Sequence, residues 1–319
     1  MTISRQPFLG ETDVPRILDL IRNMPLSCRH VIDLPWRLSS PAINEGRDAA
    51  FWEDSSGQVV GFAAWQYYWA VLDFFIPPGS DAQVVQAVLF VWADERVRER
   101  DEERGRPLPY GVELRDDDAE RQSIVEAHGF VLDDEGGYVV LQHSLVHVPA
   151  VPEPPPGFTL RPLRGQEEAV AYTTVHRAAL ESDSMTAEWR ARTLRMPQYR
   201  PELDLVIEAP DGSPAGFCVG WYDASRRVVQ IEPLGVHPRF HRLGLSRVLV
   251  LEMLRRFKEQ GAEFALVETN LGRTSARRAY EAVGFQQTYT TARKETWLTL
   301  RWGSQPRGFS GYACGTPLH

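Results

Sequence analysis

Between an apolar run ending at Val236 and a long amphipathic segment starting at Leu245 lies His237-Pro238-Arg239-Phe240-His241-Arg242-Leu243-Gly244. A glycine-bearing turn that feeds a helix offers several backbone N–H groups and the positive end of the helix dipole, which suits a phosphate group. Gly244 would let the backbone approach an anion with no Cβ in the way. Alone the loop is unspecific, because many strand-turn-helix units contain a glycine. His237 and His241 flank it, and histidines beside such a loop more often bind an anion or face solvent than act as bases. Cys218 sits in the apolar run Gly216-Phe217-Cys218-Val219-Gly220-Trp221, where a buried, inert thiol is expected rather than a nucleophile. No Ser/His/Asp grouping and no set of metal ligands at recognisable spacing occurs, so no metal is expected.

The loop becomes specific when read with its surroundings. Val236, Pro238 and Gly244 match Val-x-Pro-x-x-(Arg/Gln)-x-x-Gly-x-(Gly/Ala), with His241 in place of the Arg/Gln and Ser246 in place of the final small residue. Downstream, Ala276-Arg277-Arg278-Ala279-Tyr280-Glu281-Ala282-Val283-Gly284-Phe285 matches Ala-x-x-x-Tyr-x-x-x-Gly-Phe, with Arg273 near where an Asn is usual. In these two stretches the chain resembles the GNAT superfamily of N-acetyltransferases, and the likeness covers Phe158 to Leu300.

The resemblance implies acetyl-CoA as co-substrate. The backbone of His241, Arg242, Leu243, Gly244, Leu245 and Ser246 would hold its pyrophosphate, and Leu234, Gly235 and Val236 would pair with the pantetheine arm like an added strand. A backbone N–H of that strand would stabilise the developing oxyanion. Tyr280 would protonate the departing thiolate, although a phenol of pKa about 10 can donate to a thiolate near about 8.5 only by direct hydrogen bonding at closest approach. The alternative is that Tyr280 packs its ring in the core. Glu232, four residues before Val236 on one strand, falls on the same face by the period of two and is a candidate base for the attacking amine. An ordinary carboxylate at the edge of a cleft is the equal alternative.

The elements that position these residues recur. Asp54-Ser55-Ser56-Gly57 and Asp211-Gly212-Ser213-Pro214 both form turns. Gly61-Phe62 is echoed by Gly216-Phe217, and Glu126-Ala127-His128-Gly129-Phe130 by Glu281-Ala282-Val283-Gly284-Phe285. All three pairs stand about 155 residues apart, which reads as an internal repeat. Val148 to Gly157, Val-Pro-Ala-Val-Pro-Glu-Pro-Pro-Pro-Gly, is a stiff linker between the copies. The expected organisation is a degenerate copy over residues 1–147, the linker over 148–157, a catalytic copy over 158–302, and a loosely held tail over 303–319. Each copy is α/β with a mixed sheet, so the fold class is a tandem of two GNAT-like folds.

In the second copy the apolar periodicity predicts strands over Phe158–Pro162, Leu203–Glu208, Gly216–Tyr222, Val228–Val236 and Phe264–Glu268. Tyr289–Leu300 is expected to close that copy's sheet. Helices are predicted over Gln166–Ala179, Thr186–Arg195, Leu245–Glu259 and Ser275–Ala282. In the first copy a constant offset of about 155 carries Gly244 onto Leu89 and Tyr280 onto Val125, so the loop glycine and the acid are both missing. The corresponding turn, Ile76 to Asp81, contains two prolines and an acid, poor features for a phosphate. The aromatic group Trp65, Tyr67, Tyr68 and Trp69 is expected in the core and between the halves.

The 319 residues suffice for two domains, and an apolar share of 43% suffices for packed cores. The net charge of −8 argues against nucleic acid, which needs a basic face. No apolar run reaches the roughly 20 residues of a membrane span, and no secretory pattern opens the chain. Cys28, Cys218 and Cys314 are odd in number and scattered, as expected of a cytoplasmic protein without disulfides. The expected activity is transfer of acetyl to a primary amine of a small molecule or peptide, with a monomer favoured over a homodimer. Glu181, Asp183 and Glu188, between His176 and Trp189, mark either the acceptor cleft or an ordinary helical surface. A non-catalytic acyl-CoA-binding sensor or interaction protein is the competing reading.

Overall fold

The computed structural model describes residues 2–22, 24, 30–41, 43, 46–79, 82–107, 110–133 and 137–296. Cys28, Asp81, Cys314, the end of the expected last strand and the 303–319 tail lie outside them. The first half comprises β1 (Ser4–Pro7), α1 (Val14–Arg22), α2 (Leu34–Leu38), β2 (Ala49–Glu53), β3 (Val59–Gln66), β4 (Val71–Phe75), α3 (Ala82–Arg104), β5 (Tyr110–Arg115), α4 (Ala119–Ala127), β6 (Val131–Asp133) and β7 (Tyr138–Ser144). The second half comprises β8 (Thr159–Pro162), α5 (Ala169–Leu180), α6 (Ala187–Arg195), β9 (Asp204–Glu208), β10 (Pro214–Asp223), β11 (Val228–Val236), α7 (Leu245–Glu259), β12 (Phe264–Asn270), α8 (Thr274–Glu281) and β13 (Gln286–Thr296).

Local chemistry accounts for the element ends. Thr186 caps α6 by accepting from the Trp189 N–H at 3.0 Å. After α8, Gly284 adopts φ +105° and the Phe285 N–H returns to the Tyr280 carbonyl at 3.2 Å, a left-handed stop for which glycine is suited. The segment 148–157 is not a free tether, since Val148 and Val151 pack on the core of the second half.

The strands form one sheet of thirteen, ordered β1-β2-β3-β4-β5-β13-β7-β12-β11-β10-β9-β8, with β6 attached to β13. Among the described residues only β4–β5 and β11–β12 are parallel, each pair joined by a helical crossover, α3 or α7. The centre of the sheet departs from the expectation that β13 closes the sheet of its own half. Residues Thr291–Thr296 pair with β5 of the first half, and Arg293–Glu295 also pair with β6. In return β7 enters the second half, pairing along its whole length with β12 and with Gln286–Thr290. The two copies therefore exchange their last strands.

Side-chain packing fuses the halves as well. One core cluster joins α1 and α2 to Tyr172, Val175, Trp189, Phe217 and Trp221 of the second half. Trp36 stacks on Trp189 with centroids 4.7 Å apart, and the Trp189 indole N–H donates to Ser39 Oγ at 3.1 Å. Arg226 donates to the carbonyls of Ile21, Arg22 and Met24 at 2.7, 2.8 and 2.7 Å. Of the aromatic group, Trp65 is buried in the core of the first half, while Trp69 lies beside Trp189 at the junction.

Residues 158–319 expressed alone lack β7 and leave β12 an open edge, so they are expected to aggregate. Co-expression with residues 1–157 is expected to restore a soluble complex, as checked by co-purification. Soluble, monomeric, folded 158–319 would contradict the exchange.

Candidate functional site

Strands β11 and β12 pair in parallel only from Val228–Phe264 to Ile231–Val267. Beyond that β12 continues on β7 as far as Asn270, while Leu234, Gly235 and Val236 of β11 stay on β10, opposite Cys218, Phe217 and Gly216. The two strands thus splay, and the β12-facing edge of residues 234–236 is left without a strand partner among the described residues. Close packing behind that edge requires Gly235. A Cβ there would stand 2.6 Å from the Phe217 ring and 2.8 Å from the Ala179 methyl group of α5.

The strand changes phase at this point. The register shift opposite Cys218–Gly220 places Glu232 and Pro233 in a bulge, and the Glu232–Pro233 peptide is cis. Ile231, Leu234 and Val236 all pack with the α7-side core, so strict alternation does not hold. The inference that Glu232 shares a face with Val236 by a period of two is thereby corrected. Glu232 instead stands where its charge acts on both Tyr172 of α5 and Tyr280 of α8.

The loop after β11 is held by its own groups. The His237 N–H donates to Ala215 O at 2.8 Å, the His241 N–H to Pro238 O at 3.2 Å, and the His241 imidazole hydrogen-bonds the Val236 carbonyl at 3.0 Å. His241 therefore spends its donors closing the loop. The backbone N–H groups of Arg242, Leu243, Gly244, Leu245 and Ser246 make no hydrogen bond among the described residues. Arg242 at φ 65° and Gly244 at φ 78° are left-handed within this run, and Gly244 is the N-cap of α7 with no side-chain cap. Such alternation turns successive N–H groups towards one concavity, which adds to the helix dipole as an anion site.

Tyr280 lies on α8 next to Phe285, ring centroids 5.6 Å apart, and is 8% exposed. Its hydroxyl has no hydrogen-bond partner among the described residues. Burial, then the charge of Glu232, pushes the phenol above its ordinary value. A raised phenol pKa keeps the neutral, proton-bearing form beyond pH 10. If Tyr280 is the acid, the rate should not fall as pH rises through 10, which a profile of kcat against pH checks. Burial likewise pushes the Cys218 thiol up, in keeping with an inert side chain.

The first half shows what a closed version of this site looks like. Strand β4 pairs with β5 only at Val71–Gly111, so it splays too. Gly111 and Leu266 are repeat equivalents, and Leu266 faces Gln230, so Asp73 is the counterpart of Glu232. Asp73 is not available as a base, because Arg37 grips it at 2.7 and 2.9 Å and Gln66 donates to it at 3.2 Å. Arg121 of α4 fills the opening, donating to the Phe74 carbonyl at 3.2 Å with its guanidinium 4.4 Å from the Phe74 ring. Val125, the counterpart of Tyr280, is fully buried. The constant offset fails for Gly244, however. Leu89 lies buried within α3, because the turns before the two crossover helices differ in length, and equating the starts of α3 and α7 makes Asp81 the counterpart instead.

The remaining candidates divide. Glu181, in a left-handed conformation at the end of α5, Asp183 and Glu188 are on the surface, whereas His176 is 3% exposed. His176 stacks on Phe217, and burial drops its pKa to about 3, so it is neutral. Among the described residues, no group of three or more His, Cys, Asp or Glu side chains is placed to hold a metal ion, and no helix is long and apolar enough to cross a membrane. Tyr172, beside Glu232, carries no sequence signal of its own. Its buried, unpaired hydroxyl emerges only from the fold.

Residues 171–285 match the Acetyltransferase (GNAT) family. A mycothiol acetyltransferase of Thermomonospora curvata is 27% identical over 135 residues, 41% of this chain and 45% of that protein. One of Sanguibacter keddieii is 31% identical over 138 residues, 41% of this chain and 44% of that protein. The chain thus spans less than half the length of these relatives. Among solved structures, a tandem GNAT protein from the clavulanic acid biosynthesis pathway superposes with a TM-score of 0.66 at 17% identity, over 93% of this chain and 98% of that one. A GCN5-related N-acetyltransferase from Sphaerobacter thermophilus superposes at 0.60 and 19% identity, over 92% and 95%. The fold is that of two GNAT units in one chain.

Proposed function

We propose, for a chain whose residues 171–285 match the Acetyltransferase (GNAT) family, that it transfers acetyl from acetyl-CoA to the primary amine of a small-molecule acceptor. The observation that carries this reading is the conjunction, among the described residues, of an open β11 edge, five N–H groups from Arg242 to Ser246 that make no hydrogen bond, and a phenol whose hydroxyl has no hydrogen-bond partner. Those N–H groups would hold the pyrophosphate, and Leu234 to Val236 would pair with the pantetheine arm. Because the Val236 carbonyl is engaged by His241, Leu234 and Gly235 would supply most of that pairing.

Acetyl-CoA supplies an activated thioester. Glu232, directly or through a water, would take the proton the amine loses as its nitrogen attacks. A β11 backbone N–H would stabilise the oxyanion of the tetrahedral intermediate. Tyr280 would donate its proton to sulfur as the carbon–sulfur bond breaks, leaving an amide and the free thiol. The acyl unit is taken as acetyl, and the domain limits as 1–147 and 158–302, with the last strands exchanged across them.

The test is a calorimetric titration with acetyl-CoA followed by a screen of amines for thiol release. One site per chain with amine-dependent release supports the reading. Two sites would mean that the first half also binds, and no binding would overturn it.

A further inference from the structure

A further cavity lies where the halves meet, and it shares no lining residue with the candidate site on β11, α7 and α8. The loop Phe8–Thr12 that follows β1, the end of α2 and the end of α6 line a half-open cavity of about 340 Å³, within the roughly 300–1,000 Å³ of small-molecule sites. Phe8, Leu38 and Met196, each no more than 5% exposed, give it an apolar floor.

One wall is cationic. Arg192 and Arg195, one turn apart on α6, both line it. Arg195 donates to Glu11 at 2.8 Å, which neutralises the only acid among the described lining residues. Arg192 forms no hydrogen bond or ion pair among the described residues, and its Nε is buried with no acceptor. A buried donor left unpaired costs about 1–3 kcal/mol, more when it is charged, and a guanidinium fork matches a carboxylate in shape and charge.

We propose that this cavity binds a small amphipathic monoanion, its carboxylate on Arg192 and its aliphatic tail on Phe8, Leu38 and Met196. Such a ligand bridges the halves and stabilises their junction by binding only the folded chain.

The test uses the full chain with octanoate as probe, against octanol, octylamine and acetate, read by calorimetry and by melting temperature. Octanoate is expected to saturate one site per chain and raise the melting temperature. Octanol, which keeps the tail without the charge, and acetate, which keeps the charge without the tail, are each expected to bind at least about 10-fold more weakly, and octylamine not at all. Arg192→Gln is expected to weaken octanoate by about 10-fold or more, and Arg195→Gln, which leaves Glu11 uncompensated on the lining, to weaken it by a smaller factor. If Arg192→Gln does not fold, the ligand series on the natural chain decides alone. Octanol binding as tightly as octanoate, octanoate failing to saturate at millimolar concentration, or a folded Arg192→Gln that keeps full affinity would overturn the site.

Discussion

Tyr280→Phe is expected to leave acetyl-CoA affinity within about 2-fold while lowering kcat by about 10²–10³-fold, the usual range for losing a positioned general acid. The ring keeps its edge-on contact with Phe285, and among the described residues the hydroxyl that is lost has no hydrogen bond to be broken. Stability should therefore move little. The pattern matters as much as the size. An unchanged dissociation constant with a collapsed kcat marks an interaction made only as the thiolate departs. The residual rate should also depend on the leaving group, recovering with thioesters of more acidic thiols that need no proton. A Tyr280→Phe enzyme that turns over normally would reduce Tyr280 to a core ring and move the acid elsewhere. Complete loss of acetyl-CoA binding would instead show that the phenol shapes the cofactor cleft.

Gly244→Glu is expected to weaken acetyl-CoA by at least about 100-fold without unfolding the chain. Two effects combine, and they can be separated. A Cβ at this position meets nothing within 4 Å, so there is room for a side chain. Its φ of 78° costs a non-glycine residue about 1–2 kcal/mol, the strain term. A carboxylate in the concavity formed by Arg242 to Ser246 then repels the phosphates that those N–H groups would hold. Gly244→Ala carries the strain alone and should cost less than about 10-fold. If the two variants bind alike, geometry dominates and the anion site is not where the free N–H groups converge. Denaturant melts on both proteins distinguish a binding defect from a folding one.

Much of the second half is legible in the sequence, because its elements are specified locally. Strand Val228–Val236 and helix Leu245–Glu259 have the same limits in the apolar pattern and in the fold. There a period of 2 gives way to a period of 3.6 across a loop with unmistakable turn residues. What escapes is everything set by partners distant in sequence. Alternation along β7 and β13 says which faces are buried but is silent about which strand lies alongside, so the exchange is invisible until the sheet is assembled. The bulge at Glu232–Pro233 escapes for a related reason. It is a mismatch in length between β10 and β11, a property of the pair rather than of either strand. The fate of the first half was half legible. The loss of its tyrosine could be counted, but Arg37 clamping Asp73 and Arg121 filling the opening join residues from separate elements. The failed equivalence of Leu89 with Gly244 has the same root, since an offset measured at the turns drifts wherever a loop changes length.

Consider what the central strands mean for descent. After a duplication, a copy that no longer performs chemistry is ordinarily free to decay and be deleted. Here deletion is barred. Strand β7, encoded in the first copy, is the neighbour that covers β12 and so forms the far wall of the opening beside the second copy's candidate site. Strand β13, encoded in the competent copy, does the same for β5. Each copy is thus held in the genome by a debt to the other. The first half carries Val125 where the second has Tyr280, and closes its opening with Arg121, yet its last strand still completes the sheet of the other.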